Sequence, residues 1–89
     1  MDETSIPRLA TGVRLRHDAA RGRWVVLAPE RVVVPDETAV DVLRRVDGAA
    51  SVTAIVDALA GEYDAPAEQI RRDVLELLVD LEQRGLIAV

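Results

Sequence analysis

The sequence predicts an α+β domain, an N-terminal three-stranded antiparallel sheet followed by three α-helices. Two observations carry this. Up to Pro35 the apolar residues alternate or gather in β-branched runs, as in Val13-Arg14-Leu15-Arg16, Trp24-Val25-Val26-Leu27-Ala28 and Val32-Val33-Val34; beyond Pro35 they recur about every 3.6 residues. Strand and helix signals therefore fall in separate blocks, the pattern of a segregated sheet and helix layer.

Residues 1–7 carry neither signal and are expected to form a disordered tail, leaving 8–89 as a single domain. Val13-Arg14-Leu15-Arg16 reads as a half-buried strand with Val13 and Leu15 inward. His17 to Gly22 is expected to be a loop. The Trp24 strand follows, then a bend over Ala28-Pro29-Glu30-Arg31, where Pro29 pre-sets φ for the first central position of a tight turn. Val32-Val33-Val34 completes the meander and Pro35 stops it.

Asp36 is a plausible N-cap for a first helix with Ala39, Val42, Leu43 and Val46 on one stripe, ended by Asp47-Gly48. Ser51 caps a second helix bearing Val52, Ile55, Val56, Leu59 and Tyr63. Asp64-Ala65-Pro66 opens a third, with Ile70, Val74, Leu77, Leu78 and Leu81 on one side and Gly85 at its end. The apolar Leu86-Ile87-Ala88-Val89 is expected to tuck back. The last two helices, joined by a short turn, give the arrangement a winged helix-turn-helix-like character, with the hairpin as a wing moved to the N-terminus.

The composition excludes several functions. The 89 residues suffice for one domain and hold no Cys, so disulfides, thiolate metal sites and a cysteine nucleophile are absent. His17 is the single His and has no converging ligands around it. Ser5 and Ser51 lack a partner base, and the glycines form no phosphate-cradling loop. No enzymatic activity, cofactor or metal is expected. No apolar run reaches the roughly 18 residues of a membrane span, and no secretion signal opens the chain, which suggests a cytoplasmic protein without membrane contact.

Charge argues against nucleic acid. Residues 1–31 hold six Arg against four acids, whereas 32–89 hold five Arg against twelve acids, for a net charge of −5. The third helix carries Arg71, Arg72 and Arg84 against Glu68, Asp73, Glu76, Asp80 and Glu82, a surface that phosphates would repel.

The valine run is the feature left to explain. Val32, Val33 and Val34 form an edge with its gatekeepers only at the ends, Arg31 and Pro35, so the chain covers that edge itself or a partner strand adds to it. Arg8-Leu9 with Gly12 to Leu15, the run Trp24 to Arg31, Asp47-Gly48, and Asp73-Val74 with Leu77, Leu78 and Leu81 resemble the PqqD family, the coenzyme PQQ synthesis protein D. The Trp24–Arg31 run is the most specific part; Val26 stands where Leu is often found.

The resemblance implies a winged-helix peptide chaperone, the recognition element for a ribosomally made and later modified peptide. It implies binding of the precursor peptide PqqA and its presentation to the radical SAM enzyme PqqE, which cross-links a Glu and a Tyr within it. It further implies a leader peptide lying as an added strand between the third strand and the third helix. On this chain the strand contributes Val32, Val33 and Val34. Ile70, Val74, Leu77 and Leu78 become candidates for the cleft floor, with Arg31, Arg71 and Asp73 as its polar rim. Ordinary core packing is the competing assignment for the four apolar helix residues, above all Leu77 and Leu78. A monomer is expected; the alternative from a different class is a self-associating domain that pairs or swaps this edge with a second copy, and a lesser one is a winged-helix DNA-binding protein that touches the phosphate backbone through its Arg-rich N-terminal strand.

Overall fold

The change of period at Pro35 separates two layers. The computed structural model describes every residue, Met1–Val89. Its elements are β1 (Arg8–Leu9), β2 (Arg14–Asp18), β3 (Arg23–Ala28), β4 (Arg31–Val33), α1 (Glu37–Leu43), α2 (Val52–Ala60), α3 (Ala67–Gln83) and β5 (Ile87–Ala88). The meander β2-β3-β4 is antiparallel with the Trp24 strand at its centre, as expected. A second sheet was not foreseen: β1 pairs with β5, setting Arg8 opposite Ala88 and Leu9 opposite Ile87. The tucked-back C-terminal residues are thus a strand, and their partner is the lead-in to the domain.

The first strand of the meander runs further than its alternation indicated. His17 and Asp18, expected in a loop, pair with Trp24 and Arg23. The His17 ring lies 5.0 Å from that of Trp24, whose other neighbour is the Arg44 guanidinium at 5.2 Å. Cross-strand pairing extends β2 past the residues whose own preferences end it.

The bend at Pro29-Glu30 sets the geometry of β4. Glu30 has φ 63°, in the left-handed region, so proline followed by a positive-φ residue gives the type II pattern. A two-residue bend is closed by a pair that exchanges both backbone hydrogen bonds, here Ala28 with Arg31, and pairs alternate from there. Leu27–Val32 is then a non-bonded pair and Val26–Val33 a bonded one.

Asp36 and Ser51 cap α1 and α2, their side-chain oxygens accepting from the amides of Ala39 and Ala54. The first helix is shorter than expected. It ends at Leu43, and Arg45 and Val46 then donate to carbonyls three residues back, a tighter turn that swings Val46 into the core. Tyr63 lies beyond α2, which ends at Ala60, and is exposed where a shared buried face was expected. Within residues 1–7, read from the sequence as a disordered tail, the Ser5 carbonyl accepts from Val52 and the Glu3 carbonyl from Thr53 at the start of α2, and Pro7 is buried. These carbonyls satisfy amides that a helix N-terminus leaves without internal partners.

One core joins the layers. Val13, just before β2, and Val26 of β3 meet Val42, Val52, Ile55, Leu59, Val74, Leu78 and Leu86, with Val33 of β4 packed against them. No helix is long and apolar enough to cross a membrane.

Glu30→Gly should raise the urea midpoint of unfolding, with a gain of about 0.5–1 kcal/mol. Left-handed backbone costs an L-residue roughly 1–2 kcal/mol, while glycine loses roughly 0.5–1 kcal/mol more backbone entropy on folding. A lowered midpoint would show that the Glu30 side chain contributes more than its backbone costs.

Candidate functional site

Because β4 is the outer strand of its sheet, the alternation of pairs decides which of its backbone groups are free. The N–H and C=O of Val33 turn toward β3, and those of Val32 and Val34 turn outward. None of the loop, turn or cap hydrogen bonds of the chain engages Val32, Val33 or Val34. Their side chains alternate in the opposite sense. Val33 packs on the core, while Val32 and Val34 are 62% and 51% exposed.

The last turn of α3 is tied to this hairpin. Gly85 adopts φ +75°, and the amides of Gly85 and Leu86 donate to the carbonyls of Glu82 and Leu81, a Schellman ending that leaves the Arg84 carbonyl without an internal partner. Arg31 fills that vacancy, its Nη2 donating to the Arg84 carbonyl oxygen. A cation at a helix C-terminus also meets the negative end of the helix dipole. The guanidinium passes close over Gly85, where an added Cβ would lie 3.7 Å from Nη2 and the positive φ would strain any other residue. Arg31, expected on the rim, is therefore a strut between the bend before β4 and the end of α3.

At the other end of β4 the chain runs through Val34 and Pro35 to Asp36, and there a groove of about 360 Å³ opens between the helices. Val42 of α1, Leu59 of α2 and Ile70, Val74 and Leu77 of α3 supply its apolar lining, and Asp36, Thr38, Tyr63, Asp64 and Asp73 its polar one. Ile70, Asp73, Val74 and Leu77 of the expected set are brought together here. Two others are not. Leu78 is fully buried in the core, one residue or about 100° around the helix from Leu77. Arg71 is turned away from the groove and paired with Glu68, its Nε 3.2 Å from the carboxylate.

Tyr63, Asp36 and Asp64 were not singled out from the sequence as site residues. Asp36 was read as a cap, which it is, and Tyr63 as core. The Tyr63 hydroxyl donates to the Asp41 carboxylate, and Arg45 bonds both the Asp41 carbonyl oxygen, at 2.8 Å, and the Glu62 carboxylate. These contacts fasten the loop after α2 to α1 and so hold one wall of the groove. The hydrogen bond to Asp41 raises the Tyr63 phenol above its ordinary pKa, because ionisation would set two anions side by side.

Comparison with known proteins places this geometry. Residues 23–87 match the family described as coenzyme PQQ synthesis protein D (PqqD). A PqqA binding protein of Rhodopseudomonas palustris (strain TIE-1) is 51% identical over 87 residues, spanning 98% of this chain and 85% of that protein. The solution NMR structure of the PqqD truncation of Methylobacterium extorquens PqqCD, a functional and stand-alone recognition element for ribosomally synthesized and post-translationally modified peptides, superposes with a TM-score of 0.78 at 40% identity and full coverage of both chains. Lasso peptide synthetase B1, complexed with its leader peptide, has a TM-score of 0.81 at 20% identity over 96% of this chain and all of that one, a likeness of fold.

Tyr63 is the single tyrosine, so ultraviolet titration reads it directly. Its midpoint should lie above the ordinary value of about 10, and Asp41→Asn should bring it back toward that value. An ordinary midpoint in the wild-type protein would mean that the Tyr63–Asp41 bond does not hold the loop in solution.

Proposed function

The chain belongs to the coenzyme PQQ synthesis protein D family, and from that premise we propose that it is a peptide chaperone that binds the ribosomal precursor peptide PqqA by strand addition and presents it to the radical SAM enzyme PqqE. The observation that carries this reading is the unpaired edge of β4, from which the chain passes through Val34 and Pro35 to Asp36 on the rim of the groove between the helices. An extended guest completes the hydrogen bonds of Val32 and Val34, the mode known as β-augmentation. The name of the Rhodopseudomonas relative supports PqqA as that guest, and the recognition-element role of the Methylobacterium neighbour supports peptide binding in general.

Magnitudes divide the work between strand and groove. Each backbone bond contributes about 0.5–1.5 kcal/mol net, so the four outward groups of Val32 and Val34 together supply a few kcal/mol and little discrimination. One buried aliphatic side chain of the guest adds about 1.5–3 kcal/mol. Affinity at the micromolar level, roughly 8 kcal/mol, therefore needs both, and sequence preference comes from the groove.

Isothermal calorimetry with PqqA should give a dissociation constant of about 1 μM or tighter. Val32→Pro removes an outward N–H at an edge position where proline is tolerated, and should weaken binding about tenfold, near the upper worth of one hydrogen bond. Val32→Thr keeps the donor and should bind nearly as wild type. Val33→Pro should disrupt the β3–β4 pairing itself, visible as lost stability. Equal losses from the Pro and Thr changes at Val32 would move the guest away from this edge. A tight dimer indifferent to PqqA, seen by sedimentation at several concentrations, would assign the edge to self-association.

Leu77 and Leu78 separate binding from folding. Leu78→Ala should cost about 2–5 kcal/mol of stability. Leu77→Ala should leave most of the stability in place and weaken PqqA binding. Thermal melts and calorimetry on the two variants check this, and a Leu77→Ala protein that binds PqqA unchanged would remove Leu77 from the contact surface.

A further inference from the structure

The polar lining of the groove has one sign. Asp36 from the α1 cap, Asp64 from the loop before α3 and Asp73 from α3 itself are its charged residues, and neither Arg nor Lys is among the lining. None of the three takes part in an ion pair. Of the arginines on neighbouring elements, Arg31 is bonded to the end of α3, Arg45 to Glu62 and Asp41, and Arg71 to Glu68, while Arg44 lies over Trp24 and Arg72, without an ion pair, lies outside the lining. The carboxylates come from three separate segments and do not converge as a metal-binding group. What they surround is an apolar floor.

Resting on the peptide-binding reading above, we infer that the groove selects a guest segment with an apolar side chain for the floor and a Lys or Arg side chain for the carboxylate rim. A long basic side chain suits such a rim, because its methylene stem covers apolar surface while its charged end reaches the edge. A guest carboxylate at the same place would be repelled by three like charges. The groove thereby sets the register of the added strand, since backbone bonds along β4 are alike at every second residue and cannot distinguish one alignment from the next.

Asp36 caps α1 through the Ala39 amide, so Asp64 and Asp73, both exposed and with side chains in no hydrogen bond, are the informative positions. The test is calorimetry of wild-type protein and of the Asp64→Asn/Asp73→Asn variant with PqqA peptide, at low salt and at high salt. PqqA peptides with each Lys or Arg changed to Gln complete double-mutant cycles. The variant should bind about fivefold more weakly at low salt, the scale of two partly exposed ion pairs, and the gap should narrow as salt screens it. One Lys or Arg→Gln peptide should lose about as much affinity to the wild type and almost none to the variant. Equal binding of PqqA by both proteins, tighter binding by the variant, or cycles with no coupling would overturn the inference and leave the peptide-binding reading standing. Failure of the wild-type protein to bind PqqA would bring down that reading and this one together.

Discussion

A two-residue bend at Pro29-Glu30 governs the functional side of this molecule. It fixes the pairing of Ala28 with Arg31, and through the alternation of antiparallel pairs it fixes which backbone groups of β4 turn inward. A bend one residue longer would exchange the roles of Val32 and Val33. Val33 would then turn its amide to the free edge and its side chain away from the core, and Val32 would turn both inward. The left-handed backbone at Glu30 is the local cost of that arrangement.

The second wall of the cleft depends on how α3 ends. A Schellman turn at Gly85 satisfies the carbonyls of Leu81 and Glu82 but leaves that of Arg84, and Arg31 takes it. This single contact ties the start of the edge strand to the helix that faces it. At the opposite end nothing comparable closes the gap, and the groove lies there. The strand and α3 are thus tied at one end, and the groove between the helices opens beyond the other, where the chain passes through Asp36.

The charge distribution follows the same division. Acidic residues dominate the helical half of the sequence, and the groove is a local concentration of that excess. Arginines of the helices mostly pair within their own neighbourhood, Arg71 with Glu68 and Arg84 with Asp80. Such exposed pairs add little to stability, but they leave the carboxylates of the groove unneutralised. The tie between Tyr63 and Asp41 has a different consequence. It consumes one carboxylate beside the groove and at the same time holds the loop that carries Asp64.

Much of the fold was legible because its signals are local. Proline at the bend, Asp36 and Ser51 as caps, Gly85 at the close of α3 and the apolar stripes each act within a few residues, so reading the chain recovered the meander, the three helices and the uncovered valine edge. Distant pairings left no such mark. β1 and β5 are two residues long and lie at opposite ends of the chain, and Arg31 finds its acceptor 53 residues away. A helical repeat likewise says which residues share a face but not where the neighbouring elements stand around it, which is why Leu77 and Leu78 looked equivalent and only one lines the groove. By itself the sequence determined the order of the meander strands and the three helices and marked the valine run as an edge, because backbone preference and periodicity are properties of short segments. Tertiary structure alone decided which side chains line the cleft, which arginine braces it and which carboxylates rim it, because long polar side chains go to whatever acceptor the packed elements bring within reach.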